Sequence, residues 1–308
     1  MNLSELRYIV SLARERHFGK AAAACHVSQP TLSVAVKKLE AELGVPLFER
    51  GTKTVRVTQV GEKVVEQAQQ ALEAVESVRQ VAESESDQLS RPLRIGAIFT
   101  VGPYLFPDLI GQLRKLAPQM SLFVEENYTA VLSEKLKQGE LDVIVISLPF
   151  SEPNILTLPV YAEPFMVLLP TDHRLCAKRS LRPEALEGET ILMLGAGHCF
   201  RDQVIEACPA CAPSATAKNK AVYTVEGSSL ETIRHMVASG MGLTVLPSTA
   251  TGADRYSKKL LTVKPFVKPS PGRQVAMAWR ASFPRPNVID VLQDAIKAAT
   301  ARGAHTIN

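Results

Sequence analysis

The chain has 308 residues, 46% hydrophobic and 21% charged, which is enough for several packed cores and far from a disordered composition. The opening MNLSELRYIVSLARERHF lacks the basic-then-apolar order of a secretory signal, and no apolar run reaches the ~20 residues of a bilayer span. These features exclude a membrane protein or a disulfide-built secreted scaffold and predict a cytoplasmic protein, in which Cys25, Cys176, Cys199, Cys208 and Cys211 are thiols or transient redox groups.

Charge is unevenly placed. Residues 1–63 carry ten basic and six acidic side chains, residues 64–90 carry one and six, and the remainder carries 24 and 19. A basic head on an acidic connector points to an anionic partner at the N-terminus.

Residues 1–58 contain three short helical patterns, broken at Phe18-Gly19 and at His26-Val27. In the third, Ser28 is positioned as an N-cap, Pro30 falls in the first turn and Gly44 ends the helix. Leu32, Val36, Leu39 and Leu43 form a core face, while Gln29, Thr31, Ser33 and Lys37 cluster on the other face near the N-terminal end. A helix that reads base edges needs that arrangement. The stretch VPLFERGTKTVRVTQVG then predicts a short hairpin whose Arg50, Lys53 and Arg56 can lie along phosphates. His17 and Cys25 are read as packing residues. The segment AAAACHVSQPTLSVAVKKLEAELGVPLFER resembles the winged helix-turn-helix head of LysR-type transcriptional regulators. That resemblance implies double-stranded DNA as a partner and Gln29, Pro30, Thr31, Ser33, Lys37, Arg50, Lys53 and Arg56 as the contacting residues.

Residues 59–90 are helical in pattern and lack proline. Val64, Ala71 and Val78 repeat at seven, Ala68, Val75 and Ala82 repeat at seven between them, and Leu72 widens the stripe. A helix packed on its own protein would show the same stripe. The resemblance favours pairing of subunits along Val64, Ala68, Ala71, Leu72, Val75 and Val78, giving a homo-oligomer, a dimer of dimers.

Residues 91–308 alternate β-like and helical runs, beginning LRIGAIF, LFPDLIGQLRKLA, SLFVEEN, AVLSEKLKQ and LDVIVISL, the mark of a parallel sheet of buried strands. Two α/β lobes joined by two crossings, near Tyr161–Pro164 and Lys264–Pro271, give lobe I as 91–162 with 268–308 and lobe II as 163–267. This order resembles the effector domain of LysR-type regulators, itself similar to two-lobed periplasmic binding proteins. Thr100 and Thr129 follow the first two strands, where sites form in open α/β sheets, although each alone also suits a helix cap. FTVGPY lacks a glycine-rich phosphate fingerprint, so no nucleotide cofactor is expected.

Residues 195–208 read GAGHCFRDQVIEAC, a glycine loop entering a helix. A helix N-terminus favours a thiolate at Cys199, with His198 and Arg201 as neighbouring donors or charges. Nine residues of helix separate Cys199 from Cys208 by ~13.5 Å of rise, on opposite faces. A disulfide needs Cα atoms within ~7 Å, so the pair cannot bond while the helix is intact. Buried thiols, a Cys-x-x-Cys dithiol pair at 208–211, and a zinc site using CPAC with His198 and Cys199 are alternatives. The segment closely resembles the redox loop of the peroxide-sensing members of the LysR family. The resemblance implies hydrogen peroxide as effector, Cys199 as the reactive thiol, Cys208 as its disulfide partner, and Thr100, Thr129, His198 and Arg273 around the peroxide, with no metal or cofactor. Cys211 departs from the two-cysteine pattern. The expected protein is a non-enzymatic activator of oxidative-stress genes, with RNA polymerase as a further candidate contact. A LysR-type regulator binding a small organic effector in the inter-lobe cleft, or a thiol peroxidase, are the competing readings.

Overall fold

The computed structural model describes residues 1–50, 55–80, 88–209, 226–227, 229–252, 259–300 and 305–306. Three separate hydrophobic cores organise them: one in the head, and one in each of two α/β lobes.

The head contains α1 (Leu3–Glu15), α2 (Phe18–Ala24) and α3 (Gln29–Leu43), followed by the antiparallel strands β1 (Phe48–Arg50) and β2 (Val55–Val57). The first helix break falls before the expected Phe18-Gly19, both of which lie inside α2. Arg16 closes α1 in the left-handed region at φ 50°, and His17 Nδ1 accepts from the Gly19 and Lys20 amides at 3.1 and 3.3 Å. His17 is therefore an N-cap rather than a packing residue. Ser28 caps α3 through the Thr31 amide, and Gly44 ends it at φ 72°. Leu32, Val36 and Leu39 are buried, but Leu43 at the frayed end of the core face is 38% exposed.

The connector forms α4 (Gln59–Gln80). Part of its apolar stripe is already occupied within the chain. Ala68 and its neighbour Val65 are buried in the head core, with Val64 and Leu72 partly buried against it. On the side that α1 packs against, Ala68 is buried and Val64 and Leu72 are half-buried, whereas Ala71 and Val78 are exposed and Val75 half-exposed. A buried ion pair ties α4 to the rest of the chain. Arg280 Nε donates to Glu73 Oε1 at 2.6 Å, and the same guanidinium holds the Leu136 and Leu141 carbonyls.

Lobe I follows the expected β-α-β-α-β order: β3 (Leu93–Ile98), α5 (Gly102–Leu116), β4 (Leu122–Asn127), α6 (Thr129–Lys137) and β5 (Val143–Ser147). β3 runs parallel to both β4 and β5. Burial departs from expectation in β4. It is the sheet edge, and Phe123 and Val124 are 58% and 47% exposed. The first crossing is a single 16-residue strand, β6 (Ile155–Pro170). Its first half pairs with β11 (Gly272–Arg280) in lobe I, and its second half pairs with β9 (Thr244–Pro247) and β10 (Leu261–Pro265) in lobe II. Lobe II also holds β7 (Met193–Leu194), α7 (Cys199–Ala207), β8 (Glu226–Gly227) and α8 (Leu230–Ala238). α9 (Pro286–Thr300) returns to lobe I against α5, and β12 (His305–Thr306) pairs with β6.

Candidate functional site

Cys199 is the first residue of α7, and the loop before it is shaped by Gly197 at φ 94°, packed close to the Tyr128 ring. Only glycine adopts that backbone without strain. His198 occupies the N-cap position but makes no side-chain cap hydrogen bond. Cys199 faces lobe I, packing on its core, while the next residue, Phe200, is buried in lobe II. The helix N-terminus therefore spans the boundary between lobes.

A small, tight cleft is lined there by Thr100, Thr129, His198 and Cys199 with Phe99 and Tyr128. Thr129 Oγ1 donates to Cys199 Sγ at 3.8 Å. Neither threonine is a helix cap: Val101 precedes α5 and Tyr128 precedes α6 in that role. His198 is 6% exposed and packs tilted against Tyr128 and Phe99, with ring centroids 4.8 and 5.7 Å away. Burial pushes its pKa below the usual histidine range, so at neutral pH it contributes a neutral imidazole and no positive charge. Arg201 donates to the Leu194 carbonyl at 2.9 Å.

Arg273 adjoins the cleft through Thr100. Its guanidinium does not line the cleft but stands behind Thr100, donating from Nη1 to Thr100 Oγ1 at 2.7 Å and from Nη2 to the Thr100 carbonyl at 2.9 Å. It also lies over the Phe200 ring at 5.1 Å. Its third interaction is with Glu163, which sequence reasoning missed: Arg273 Nε donates to Glu163 Oε1 at 2.8 Å, and both side chains are fully buried. The available signal was the lone acid within the apolar run VYAEPFMVLLP.

Cys208 lies at the other end of α7, 2% exposed in the core of lobe II, its thiol directed at the Pro183 carbonyl 3.6 Å away. The four described cysteines are free thiols. Cys199 and Cys208 sit against different cores, with an intact helix between them. Gln203, midway along α7, donates to Ser147 Oγ at 2.8 Å and to the Leu148 carbonyl at 3.1 Å, fastening the helix to lobe I. Cys211 lies outside the described residues, and with it the outer cysteine of CPAC.

In the head, Gln29, Pro30, Thr31 and Lys37 are exposed and Ser33 is half-exposed on one side of α3. The Thr31 hydroxyl is 2.7 Å from Ser28 Oγ and so is partly committed to the cap. Arg56 is exposed on β2, opposite Glu49 of β1. The backbone of Arg50 ends β1, and Lys53 lies outside the described residues.

Comparison with known proteins agrees with this architecture. Residues 3–62 match the family described as bacterial regulatory helix-turn-helix protein, lysR family, and residues 86–301 match the LysR substrate binding domain. The DNA-binding transcriptional dual regulator OxyR of Escherichia coli K12 is 37% identical over 298 residues, covering 97% of this chain and 95% of that protein. The structure of full-length OxyR from Pseudomonas aeruginosa, with aspartate in place of a cysteine, is 54% identical. It covers 100% of this chain and 99% of its own, with a TM-score of 0.90. A hydrogen-peroxide-bound cysteine mutant of Corynebacterium glutamicum OxyR is 31% identical, covers 98% and 93% of the two chains, and has a TM-score of 0.64. With both of its parts matched and relatives of this similarity over nearly its full length, the chain belongs to the LysR family of bacterial transcriptional regulators.

Proposed function

We propose that the chain is a hydrogen-peroxide-sensing, DNA-binding transcriptional regulator, switched by reversible disulfide formation between Cys199 and Cys208. The observation that carries this reading is Cys199 at a helix N-terminus without a side-chain cap, its sulfur hydrogen-bonded by Thr129 in a small cleft that Thr100 and His198 also line. The peroxide-bound relative has the same fold at 31% identity.

The Cys199 thiolate attacks one peroxide oxygen and the O–O bond breaks, leaving a sulfenic acid and hydroxide that takes up a proton. The Cys208 thiol then displaces the sulfenic oxygen as water, and the S–S bond forms. Selectivity for so small a neutral oxidant must come from donors aimed at its oxygens. We assign that task to Thr100, which lines the cleft, with the uncharged His198 supplying or accepting a further hydrogen bond. Arg273 acts through Thr100.

The residue division 1–58, 59–90 and 91–308 follows as DNA-reading head, linker and sensing domain, with lobe II between residues 163 and 267. DNA and a second copy of the chain are its partners, and RNA polymerase is the further partner of an activator. An organic effector in the wider cleft by Leu148 and Gln274 is less well supported. The side chain of Arg273, at the edge of that cleft, is fully buried and committed to Glu163 and Thr100. No described helix is long and apolar enough to cross a membrane.

The test is reaction of the reduced protein with one equivalent of peroxide, followed by mass mapping of the cysteines. One Cys199–Cys208 bond per subunit, altered DNA binding and no multiple turnover with excess thiol are expected. Continuous peroxide consumption would instead favour a thiol peroxidase. In the same assay Thr100→Val slows Cys199 oxidation by peroxide more than its alkylation by iodoacetamide.

A further inference from the structure

We propose that Glu163 is a positioning residue for the peroxide reaction, fixing the Thr100 hydroxyl through Arg273 and making that setting depend on how lobe II sits on lobe I. The inference rests on the peroxide-sensing reading of Cys199.

Glu163 lies on β6 where that strand crosses between lobes, directly opposite Arg273 in the β6–β11 ladder. One carboxylate oxygen accepts from Arg273 Nε at 2.8 Å. The other accepts from the Thr249 hydroxyl at 2.6 Å and the Thr249 amide at 3.3 Å, and Thr249 follows β9 of lobe II. A charge buried this completely is held by its hydrogen bonds, so its partners are fixed together. Arg273 passes the constraint on through Nη1 to Thr100 Oγ1 at 2.7 Å. Arginine only donates, so the threonine oxygen accepts and its own hydrogen must point elsewhere. Among the described residues Thr100 Oγ1 has no other partner, and the residue lines the cleft beside Cys199. The chain Thr249–Glu163–Arg273–Thr100 thus leaves the Thr100 hydroxyl hydrogen uncommitted in a residue that lines the cleft, a donor available to a peroxide oxygen during attack. Without the carboxylate, a buried guanidinium with an unpaired Nε would shift, and Thr100 would lose its fixed direction.

The experiment measures two rate constants for Cys199 in the full-length reduced protein, oxidation by hydrogen peroxide and alkylation by iodoacetamide, for the parent, Glu163→Gln, Thr249→Val, Thr100→Val and the Glu163→Gln/Thr100→Val double variant. Glu163→Gln is expected to lower the peroxide rate about tenfold, a ~1.4 kcal/mol change in barrier, with alkylation unchanged. Thr249→Val is expected to lower it less. In the Thr100→Val background Glu163→Gln should add no further loss, because both act through one hydroxyl. A purely structural role would lower both rates or neither, and an unchanged ratio in Glu163→Gln overturns the proposal. If Glu163→Gln does not fold, the ratio in Thr249→Val decides, falling if the proposal holds and unchanged if it does not. If the parent shows no faster peroxide reaction than a free cysteine, the peroxide reading itself fails and this proposal with it. A fast parent and a slowed Thr100→Val, with unaltered Glu163→Gln, would sink the positioning role alone.

Discussion

At the scale of single residues, His198 shows how packing sets chemistry beside Cys199. Wedged between Tyr128 and Phe99, it is held neutral because burial disfavours its charged form. The unfolded chain takes up a proton near the ordinary histidine value of ~6.5, and the folded chain only at lower pH. The His198 contribution to stability is therefore complete above that pH and is lost as pH falls from there towards the folded pKa. Replacing His198 with Gln should flatten the fall of melting temperature as pH drops below about 6.5, beyond any constant loss from packing. A parallel curve, shifted but equally steep, would show that the imidazole does not titrate in this way. The positions of His198 and Cys199 were legible because a glycine loop entering a helix is a local pattern. The bond from Glu163 to Arg273 was not: its partners are 110 residues apart in sequence, and only strand register brings them opposite each other.

At the scale of elements, α7 joins the two lobes and keeps its thiols apart. Phe200 and Val204 bury it in lobe II, while Gln203 and Cys199 hold it to lobe I. Disulfide formation has to break backbone hydrogen bonds of this helix and pull Cys208 from its core, which predicts a strained, readily reduced bond. Hydrogen exchange across residues 199–208 should accelerate on oxidation. Cys199→Ser should stay in the reduced form under peroxide, and Cys208→Ser should accumulate oxidised Cys199 without a stable switch. Equal protection in both redox states would mean that the helix survives and the nine-residue spacing has no mechanical role. In the head, the proposed roles of α3 in reading bases and of the β1–β2 pair in meeting phosphates are separable by mutation. Gln29→Ala should relax sequence choice, with a lost base contact costing about 1–3 kcal/mol, whereas Arg56→Ala should weaken all binding and reduce its salt dependence. An unchanged salt slope in Arg56→Ala would remove the hairpin from the phosphates. The caps of α3 were readable in sequence because Ser28 and Gly44 act within one turn of the chain. The exposure of β4 was not, because its apolar residues fit a buried strand equally well, and edge position is decided by strand order.

At the scale of the whole molecule, a change at α7 must reach the head through surfaces that the single chain only partly accounts for. Glu73 and Arg280 fasten α4 to lobe I as a buried pair, so the linker helix cannot shift independently of the sensing domain without leaving charges unpaired. A heptad pattern alone could not show which apolar surface covers it, since the chain's own α1 and a second subunit present the same chemistry. The structure divides the stripe: Ala68 is spent on the head, while Ala71, Val75 and Val78, at spacings of four and three, form one outward line. Val78 is 72% exposed, and together with the uncovered β4 edge it leaves apolar surface for a second copy. Val75→Asp separates assembly from folding. Because Val75 is half-exposed in the single chain, an aspartate there keeps access to water and the subunit should fold; in a paired helix the same carboxylate would be buried without a partner. The variant should therefore retain its circular dichroism and its Cys199 reaction with peroxide while its mass in solution falls. DNA affinity should fall with it, since two linked heads gain from binding adjacent half-sites together. Native mass and undiminished DNA affinity in Val75→Asp would place the subunit contact elsewhere, with the exposed β4 edge the next surface to substitute.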